Sequence, residues 1–114
     1  MNRLPESKNT IQFNHSSFID NLRFTSDGKT LISACNSKIK FRDMETKQVF
    51  HTIEGRFSWL FDIAVTPDGK TLISASDSLD FWDIQTGELT DSIKDNFVYA
   101  TNIAVSQDGQ FFAF

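Results

Sequence analysis

Apolar residues recur along the chain in short runs, where they alternate with polar residues and are bounded by turn residues. Leu22 and Phe24 share one face of such a run, and Ile63 and Val65 share one face of another. No run has its apolar residues at helical spacing. The pattern therefore predicts an all-β protein made of short strands.

A repeat of about 40 residues organises these runs. The phrase SDGKTLISA at residues 26–34 returns as PDGKTLISA at residues 67–75, and a weaker copy begins with QDG at residues 107–109. The second half of each full unit contains FRD at residues 41–43 or FWD at residues 81–83. A period of this length, built from strands and turns, is typical of a radially repeated β-sheet protein.

Each full unit is predicted to hold four strands joined by tight turns. The Asp-Gly turns require glycine at a positive φ, which gives Gly28, Gly69 and Gly109 a backbone role. The predicted strands are 19–24, 31–34, 38–42 and 48–53 in the first unit, 60–65, 72–75, 79–82 and 88–93 in the second, and 101–105 and 111–114 in the third.

The stretch WLFDIAVTPDGKTL at residues 59–72, continued by FWDIQTG at residues 81–87, resembles the repeat of the WD-repeat β-propeller family. The resemblance covers residues 10–114 and implies four-stranded antiparallel blades. It also implies structural roles in a hydrogen-bonded network for His15, Trp82 and Asp83, and for Ser33, Ser74 and Asp77. Three positions depart from the family pattern, because Arg42 replaces a tryptophan, and Arg56 and Asn96 stand where histidine is expected.

The resemblance predicts a propeller fragment, since a ring closes with four to eight blades and this chain holds fewer than three. Its expected parts are residues 1–15, a lead with the outer strand of a preceding blade at 10–13, then repeats at 16–55 and 56–95, and a truncated repeat at 96–114. The apolar end FFAF at residues 111–114 predicts an open edge, which favours association with the remaining blades or with another copy.

Composition narrows the range of partners. Eleven basic and 15 acidic residues are interspersed and give a net charge of −4, which favours neither nucleic acid nor an anionic membrane as a partner. The lead at residues 1–8 is polar and predicts no signal peptide, so a cytoplasmic location is expected. The single cysteine, Cys35, excludes an internal disulfide and is predicted to be buried.

No catalytic, cofactor or metal site is predicted. The GKT triplets at residues 28–30 and 69–71 resemble the end of a phosphate loop, but Arg23 and Ala64 stand where that loop needs glycine. His51 is expected to be a partly exposed residue on an outer strand. The acidic segment at residues 77–80 is interpreted as a solvated turn rather than a calcium loop.

These observations favour a non-catalytic scaffold that binds a protein or peptide. Aromatic and arginine residues that differ between the units are its predicted contacts: Arg56, Phe57, Phe61 and Phe97. An aromatic residue at one shared repeat position is expected instead to pack between blades, at Phe18, Trp59 and Tyr99. Two alternatives stay open, an enzymatic propeller of the lactonase-like or quinoprotein-like kind, and a truncated gene remnant without independent activity.

Overall fold

The structure, a computed structural model, describes residues 21–35, 37–55, 59–94 and 102–113. Within these ranges the chain forms ten β-strands. In chain order they are β1 (Asn21–Phe24), β2 (Thr30–Cys35), β3 (Lys38–Asp43), β4 (Val49–Glu54), β5 (Asp62–Val65), β6 (Thr71–Ala75), β7 (Leu79–Asp83), β8 (Leu89–Ile93), β9 (Ala104–Val105) and β10 (Phe112–Ala113).

The strands form three antiparallel sheets in which neighbours in sequence are neighbours in space. The first sheet has the order β1-β2-β3-β4, the second β5-β6-β7-β8, and the third contains β9 and β10. The inner strand β5 contacts β1 on one side and β9 on the other, so the three sheets stand side by side with the second sheet in the middle. The predicted fold class, all-β with four-stranded antiparallel blades of a propeller fragment, is confirmed.

A repeated hydrogen-bond pattern closes the turn after each inner strand. In the second repeat the Thr66 hydroxyl donates to Oδ1 of Asp68 at 2.7 Å, and the Lys70 N–H donates to the same oxygen at 3.0 Å. Gly69 has a φ of 72° and donates its N–H to the Thr66 carbonyl. The corresponding glycines, Gly28 and Gly109, have φ values of 73° and 75°. Turn chemistry therefore sets the hairpin at this point in every repeat.

These turn carboxylates titrate below their ordinary range. The hydroxyl of Thr66 is the largest cause for Asp68 and lowers its pKa, and the Lys70 N–H adds to the effect. The pKa of Asp27 is lowered first by the Thr25 hydroxyl, and that of Asp108 first by the Ser106 hydroxyl. A carboxylate that accepts such bonds is favoured in its charged form, so the three turns share one electrostatic design.

The main core lies between the first and second sheets. Alternation along β2 and β3 directs one set of apolar side chains towards the second sheet, and alternation along β6 and β7 directs a second set back towards the first. The cluster comprises Ile32, Ala34, Ile39, Phe41 and Ile53 with Leu60, Ile63, Leu72, Trp82 and Ile84. Burial of each large member stabilises the fold by about 1.5–3 kcal/mol, so this interface holds the two sheets together.

A smaller core joins the second sheet to the third. Ile73, Ala75 and Leu79 are buried there, and Ile103 and Val105 pack against them. The rings of Phe81 and Phe112 meet edge to face with centroids 5.4 Å apart. The second sheet is therefore covered on both faces, each by a different neighbour.

Two predictions about solvent exposure are wrong. In the segment interpreted as a solvated turn, only Asp77 is exposed, whereas Ser78 and Asp80 are buried together with the adjacent leucine. The physical reason is that Leu79–Asp83 forms β7, and Asp80 lies on the same face as Trp82, towards the first sheet. Oδ1 of Asp80 accepts hydrogen bonds from Ser78 Oγ at 3.0 Å and Ser92 Oγ at 2.6 Å.

Trp59 is the second residue whose surroundings differ from the prediction. It was expected to pack between blades, but 59 % of its surface is exposed. The adjacent Leu60 is buried at 6 % exposure and fills the core position instead. The predicted strand at residues 10–13 and the residues His15, Phe18, Arg56, Phe57, Phe97 and Tyr99 lie outside the described residues.

Candidate interaction surface

The segment that leads into β5 alternates between core and solvent. Leu60 anchors it in the core between the first two sheets, and the Phe61 N–H donates to the Ala75 carbonyl at 2.8 Å. The neighbouring side chains Trp59 and Phe61 approach each other with ring centroids 6.5 Å apart and a 56° angle between planes. The exposed Trp59 ring and the half-buried Phe61 ring are thus held on a segment fixed by both packing and sheet hydrogen bonding.

A groove runs beside this pair and has a volume of about 440 Å³. Residues from all three repeats line it, because it lies where the inner strands β1, β5 and β9 begin. Its lining comprises Asn21, Arg23, Trp59, Leu60, Phe61, Asp62 and Asn102. Phe61, one of the predicted partner contacts, is therefore part of a concave surface.

One repeat position supplies most of the polar lining. Asn21, Asp62 and Asn102 occupy equivalent places in the three repeats, each six residues before the turn aspartate. The sequence carries this signal, although the predicted contacts are aromatic and arginine residues and do not include these three. Because repeats place equivalent residues around one axis, polar residues at one position converge in space.

Asp62 connects the three sheets at the floor of the groove. Its Oδ1 lies 3.3 Å from Nη2 of Arg23 in the first sheet and also accepts the Ile63 N–H at 2.9 Å. Its Oδ2 accepts the Ile103 N–H, next to the third sheet, at 2.7 Å. The Asp62 side chain is only 9 % exposed. Charge-assisted bonds of this kind are stronger than neutral ones, so they help to fix the shape of the groove.

Arg23 forms the cationic wall of the groove. Its side chain is 42 % exposed, and besides Asp62 it contacts the Leu22 carbonyl through Nη1 at 2.8 Å. Sequence reasoning missed this residue as a site candidate. The available signal was a charged residue between Leu22 and Phe24, at a place where the other repeats have Ala64 and Ala104.

A larger hollow, of about 790 Å³, lies between the first two sheets at their turns. Its carboxylates are engaged by the turns themselves: Asp27 accepts the Lys29 N–H, Asp43 accepts the Glu45 N–H, and Asp83 accepts the Thr86 N–H. Turn residues that the fold requires in each repeat make up most of this hollow. The smaller groove is therefore the better candidate for a site specific to this chain.

The tryptophan of the second repeat belongs to the core. The Trp82 indole N–H donates to Ser74 Oγ at 2.9 Å, inside the interface with the first sheet. Its repeat equivalent Arg42 instead donates from Nη1 to the Lys47 carbonyl at 2.8 Å. His51 is half-buried on the outer strand β4, and its ring meets Phe41 at 5.6 Å.

Among the described residues, no group of three or more His, Cys, Asp or Glu side chains lies together in a way that would hold a metal ion. In the same part of the chain, no helix has the length and apolar character that crossing a membrane requires.

Comparison with known proteins agrees with the geometry. The chain matches the WD40 family, described as WD domain, G-beta repeat, over residues 7–43 and 47–80, which is more than half of its length. It is also 36 % identical over 62 residues to the nuclear distribution protein PAC1 of Arthroderma otae. That match covers 52 % of this chain and 13 % of the relative, so the chain corresponds to a small part of the longer protein. The chain belongs to the WD40 repeat family.

Proposed function

We propose that this chain is a non-catalytic interaction module that binds a protein or peptide partner in the groove at the start of the inner strands. The observation that carries the proposal is the exposed Trp59 ring, held beside Phe61 and Arg23 on a segment that Leu60 anchors in the core. Tryptophan, tyrosine and arginine dominate the binding energy of protein interfaces. Contact with water does not favour an exposed aromatic ring, so the position of Trp59 suits contact with a partner.

The surrounding chemistry supports a protein partner over other classes. The net charge of −4 repels nucleic-acid phosphate and anionic membranes. The groove combines apolar rings with amide and charged groups, which suits the mixed surface of a peptide. Arg56, Phe57 and Phe97, which lie outside the described residues, stay predicted partner contacts.

Selection from a random peptide library displayed on phage tests this function. The immobilised chain serves as bait, and binding of the selected peptides is compared between the natural chain, Trp59→Ser and Phe50→Ser. Phe50 is a matched control, since it is also an exposed aromatic residue but lines the other hollow. We expect at least about a tenfold loss of affinity for Trp59→Ser and little change for Phe50→Ser. Equal binding to all three baits, or no enriched peptide, would contradict the proposal.

We also propose that the edge strand β10 associates with another strand, either from further blades or from a second copy. Phe111 is 70 % exposed and Phe112 is 40 % exposed, beside a third sheet that has two strands within the described residues. Exposed apolar edges favour strand pairing. Light scattering of the purified chain should reveal assembly that Phe111→Lys weakens. A monomer at all concentrations would contradict association between copies.

A cytoplasmic location belongs to the same proposal. The single cysteine, Cys35, is buried in β2 and leaves no internal disulfide to form. Such a chain does not depend on an oxidising compartment. Fluorescence microscopy of a tagged chain tests the location, and signal confined to another compartment would contradict it.

A further inference from the structure

We propose that the groove recognises an internal peptide segment in which an acidic side chain, aspartate or glutamate, adjoins an apolar one. This inference rests on the proposed function and specifies its partner. The acidic side chain binds Arg23, and the apolar side chain packs on Trp59 and Phe61. The fold already engages the acceptors of Asp62, whereas Arg23 keeps donors that can reach a ligand.

The carboxylate oxygens of Asp62 already accept hydrogen bonds from within the protein. Both oxygens of Asp62 accept backbone N–H groups, and Oδ1 also lies near the Arg23 guanidinium. The side chain is 9 % exposed, so a ligand cation has little access to it. The positive charge of Arg23 would also repel a ligand cation in the groove. A basic peptide therefore fits this groove poorly.

The guanidinium of Arg23 has more N–H donors than its two hydrogen bonds use. A guanidinium carries five N–H donors, and Arg23 uses one at Nη1 and one at Nη2 in its bonds to Leu22 and Asp62. The Nη2 bond is long, at 3.3 Å, and 42 % of the side chain is exposed. A carboxylate is the acceptor that best matches the planar fork of arginine. The remaining chemistry of the groove therefore calls for a ligand carboxylate.

The neighbouring groups define the rest of the ligand. Asn21 and Asn102 flank Asp62 at the equivalent repeat position, and each side-chain amide offers both donors and an acceptor. Amides of this kind suit the alternating N–H and C=O groups of an extended peptide backbone. The Trp59 ring lies at the edge and is 59 % exposed, which leaves a face for an apolar side chain. An acidic residue beside an apolar one satisfies all three features at once.

The two tryptophans make the inference measurable in one experiment. The exposed Trp59 indole N–H reports on the groove, and the buried Trp82 indole N–H, bonded to Ser74, reports on folding. The nitrogen-labelled full chain is titrated with the capped peptide Ac-Gly-Ser-Phe-Glu-Ser-Gly-NH2 while both signals are followed by NMR. The same peptide with Gln in place of Glu is the matched probe, and Trp59→Phe assigns the signals.

We expect the Trp59 signal to shift with the Glu peptide while the Trp82 signal stays in place. The Gln peptide should bind at least about fivefold more weakly, since hydrogen bonds to a charged partner are the stronger kind. In Arg23→Gln the preference for Glu should disappear, whereas Lys29→Gln, which alters the other hollow, should keep it. A free terminal carboxylate in Ac-Gly-Ser-Gly-Phe-OH should not replace the Glu side chain.

Several outcomes would overturn the inference. Equal affinity for the Glu and Gln peptides, a Glu preference that survives in Arg23→Gln, stronger binding of the free carboxyl terminus, or no Trp59 shift at millimolar peptide each does so. If Arg23→Gln loses the Trp82 signal through unfolding, Arg23→Lys replaces it and must reduce the preference for Glu. Library peptides that need Trp59 but bind Arg23→Gln unchanged would keep the interaction function and remove only the acidic partner.

Discussion

The first and second sheets share topology and even an irregularity in register, yet their inner strands are buried to different degrees. Both sheets shift register once between the third and fourth strands, at Phe41/Arg42 and at Phe81/Trp82. In β5 Ile63 has no exposed surface, whereas the equivalent Leu22 in β1 is 44 % exposed. The repeat thus fixes the path of the backbone, and the neighbouring sheet decides which of its faces is buried.

Side chains at equivalent repeat positions also make different contacts in the two sheets. Trp82 and Asp80 lie in the interface with the first sheet, where each makes buried or half-buried hydrogen bonds to serine hydroxyls. Arg42 and Lys40 occupy these places in the first sheet, and Arg42 bonds to the turn at Lys47. The positions of Trp82 and Asp80 therefore have no fixed role across the repeats. The role of each depends on the surface that it faces.

The largest expected effect contrasts two phenylalanines of the first sheet. Phe41 is fully buried against the second sheet, and Phe24 is 57 % exposed. Phe41→Ala should reduce the free energy of unfolding by about 3–5 kcal/mol, because it leaves a cavity in the main core. Phe24→Ala should change it by about 0.5 kcal/mol or less. Urea denaturation followed by circular dichroism measures both, and equal losses would refute the assigned difference between the faces.

The contact between the sheets at Gly87 gives the next largest effect. Gly87 and Gly55 have nearly the same φ, 76° and 77°. A Cβ at Gly87 would overlap the His51 ring, whereas a Cβ at Gly55 would meet nothing within 4 Å. Gly55→Ala should therefore cost only the backbone strain, about 1–2 kcal/mol, and Gly87→Ala should cost more.

A double-mutant cycle with His51→Ala isolates the steric part of the Gly87→Ala effect. We expect Gly87→Ala to cost less in the His51→Ala background than in the natural chain. Thermal melts of the four proteins provide the measurement. An unchanged cost would mean that the ring does not meet position 87, and the packing of β4 on the second sheet would need revision.

A smaller difference in the free energy of unfolding is expected between substitutions of the two tryptophans. Trp82→Phe removes the donor to Ser74 and leaves a buried hydroxyl without it, so it should cost about 1–3 kcal/mol. Trp59→Phe should change stability by about 0.5 kcal/mol or less because the indole is exposed. Urea titration of both variants tests this order. A larger loss for Trp59→Phe would place that residue in the core.

The smallest effect concerns the turns, which all repeats share. Asp27, Asp68 and Asp108 have pKa values lowered from 3.8 by a hydroxyl and then a backbone N–H, so folding favours their charged form. Their contribution to stability is complete above the unfolded pKa and is lost as pH falls from that value through the folded pKa. In the triple variant to Asn, the urea midpoint should change less with pH than in the natural chain as the pH falls from about 5 to about 2. Equal pH dependence of the two proteins would contradict this prediction.

The fold was predictable because its signals are local. The turns need only a Thr or Ser, an Asp and a Gly within a few residues, and the alternation of apolar residues marks the strands on either side. Strand bounds agree with the predictions to within a few residues, and the exposed outer strands β4 and β8 agree with their mixed polarity. Local hydrogen bonds and short-range alternation leave a direct trace in the sequence.

The candidate site was predictable only in part, because its contacts join residues that lie far apart in the sequence. The sequence pointed to Phe61 but assigned Trp59 to packing and overlooked Arg23 and Asp62. The bond from Arg23 to Asp62 joins residues of two sheets, and the bond from Ile103 N to Asp62 joins residues separated by 41 positions. No local sequence pattern predicts contacts between residues so far apart.

The sequence by itself determined the repeat, the four-stranded unit, the turn chemistry and the membership of a propeller family. Only the tertiary structure decided which repeat positions are buried, that Asp80 lies in a core, and that Arg23, Trp59 and Asp62 surround one groove. The physical reason is that periodicity fixes where a side chain points along its own strand. Burial and charge pairing depend on what the adjacent sheet presents to it.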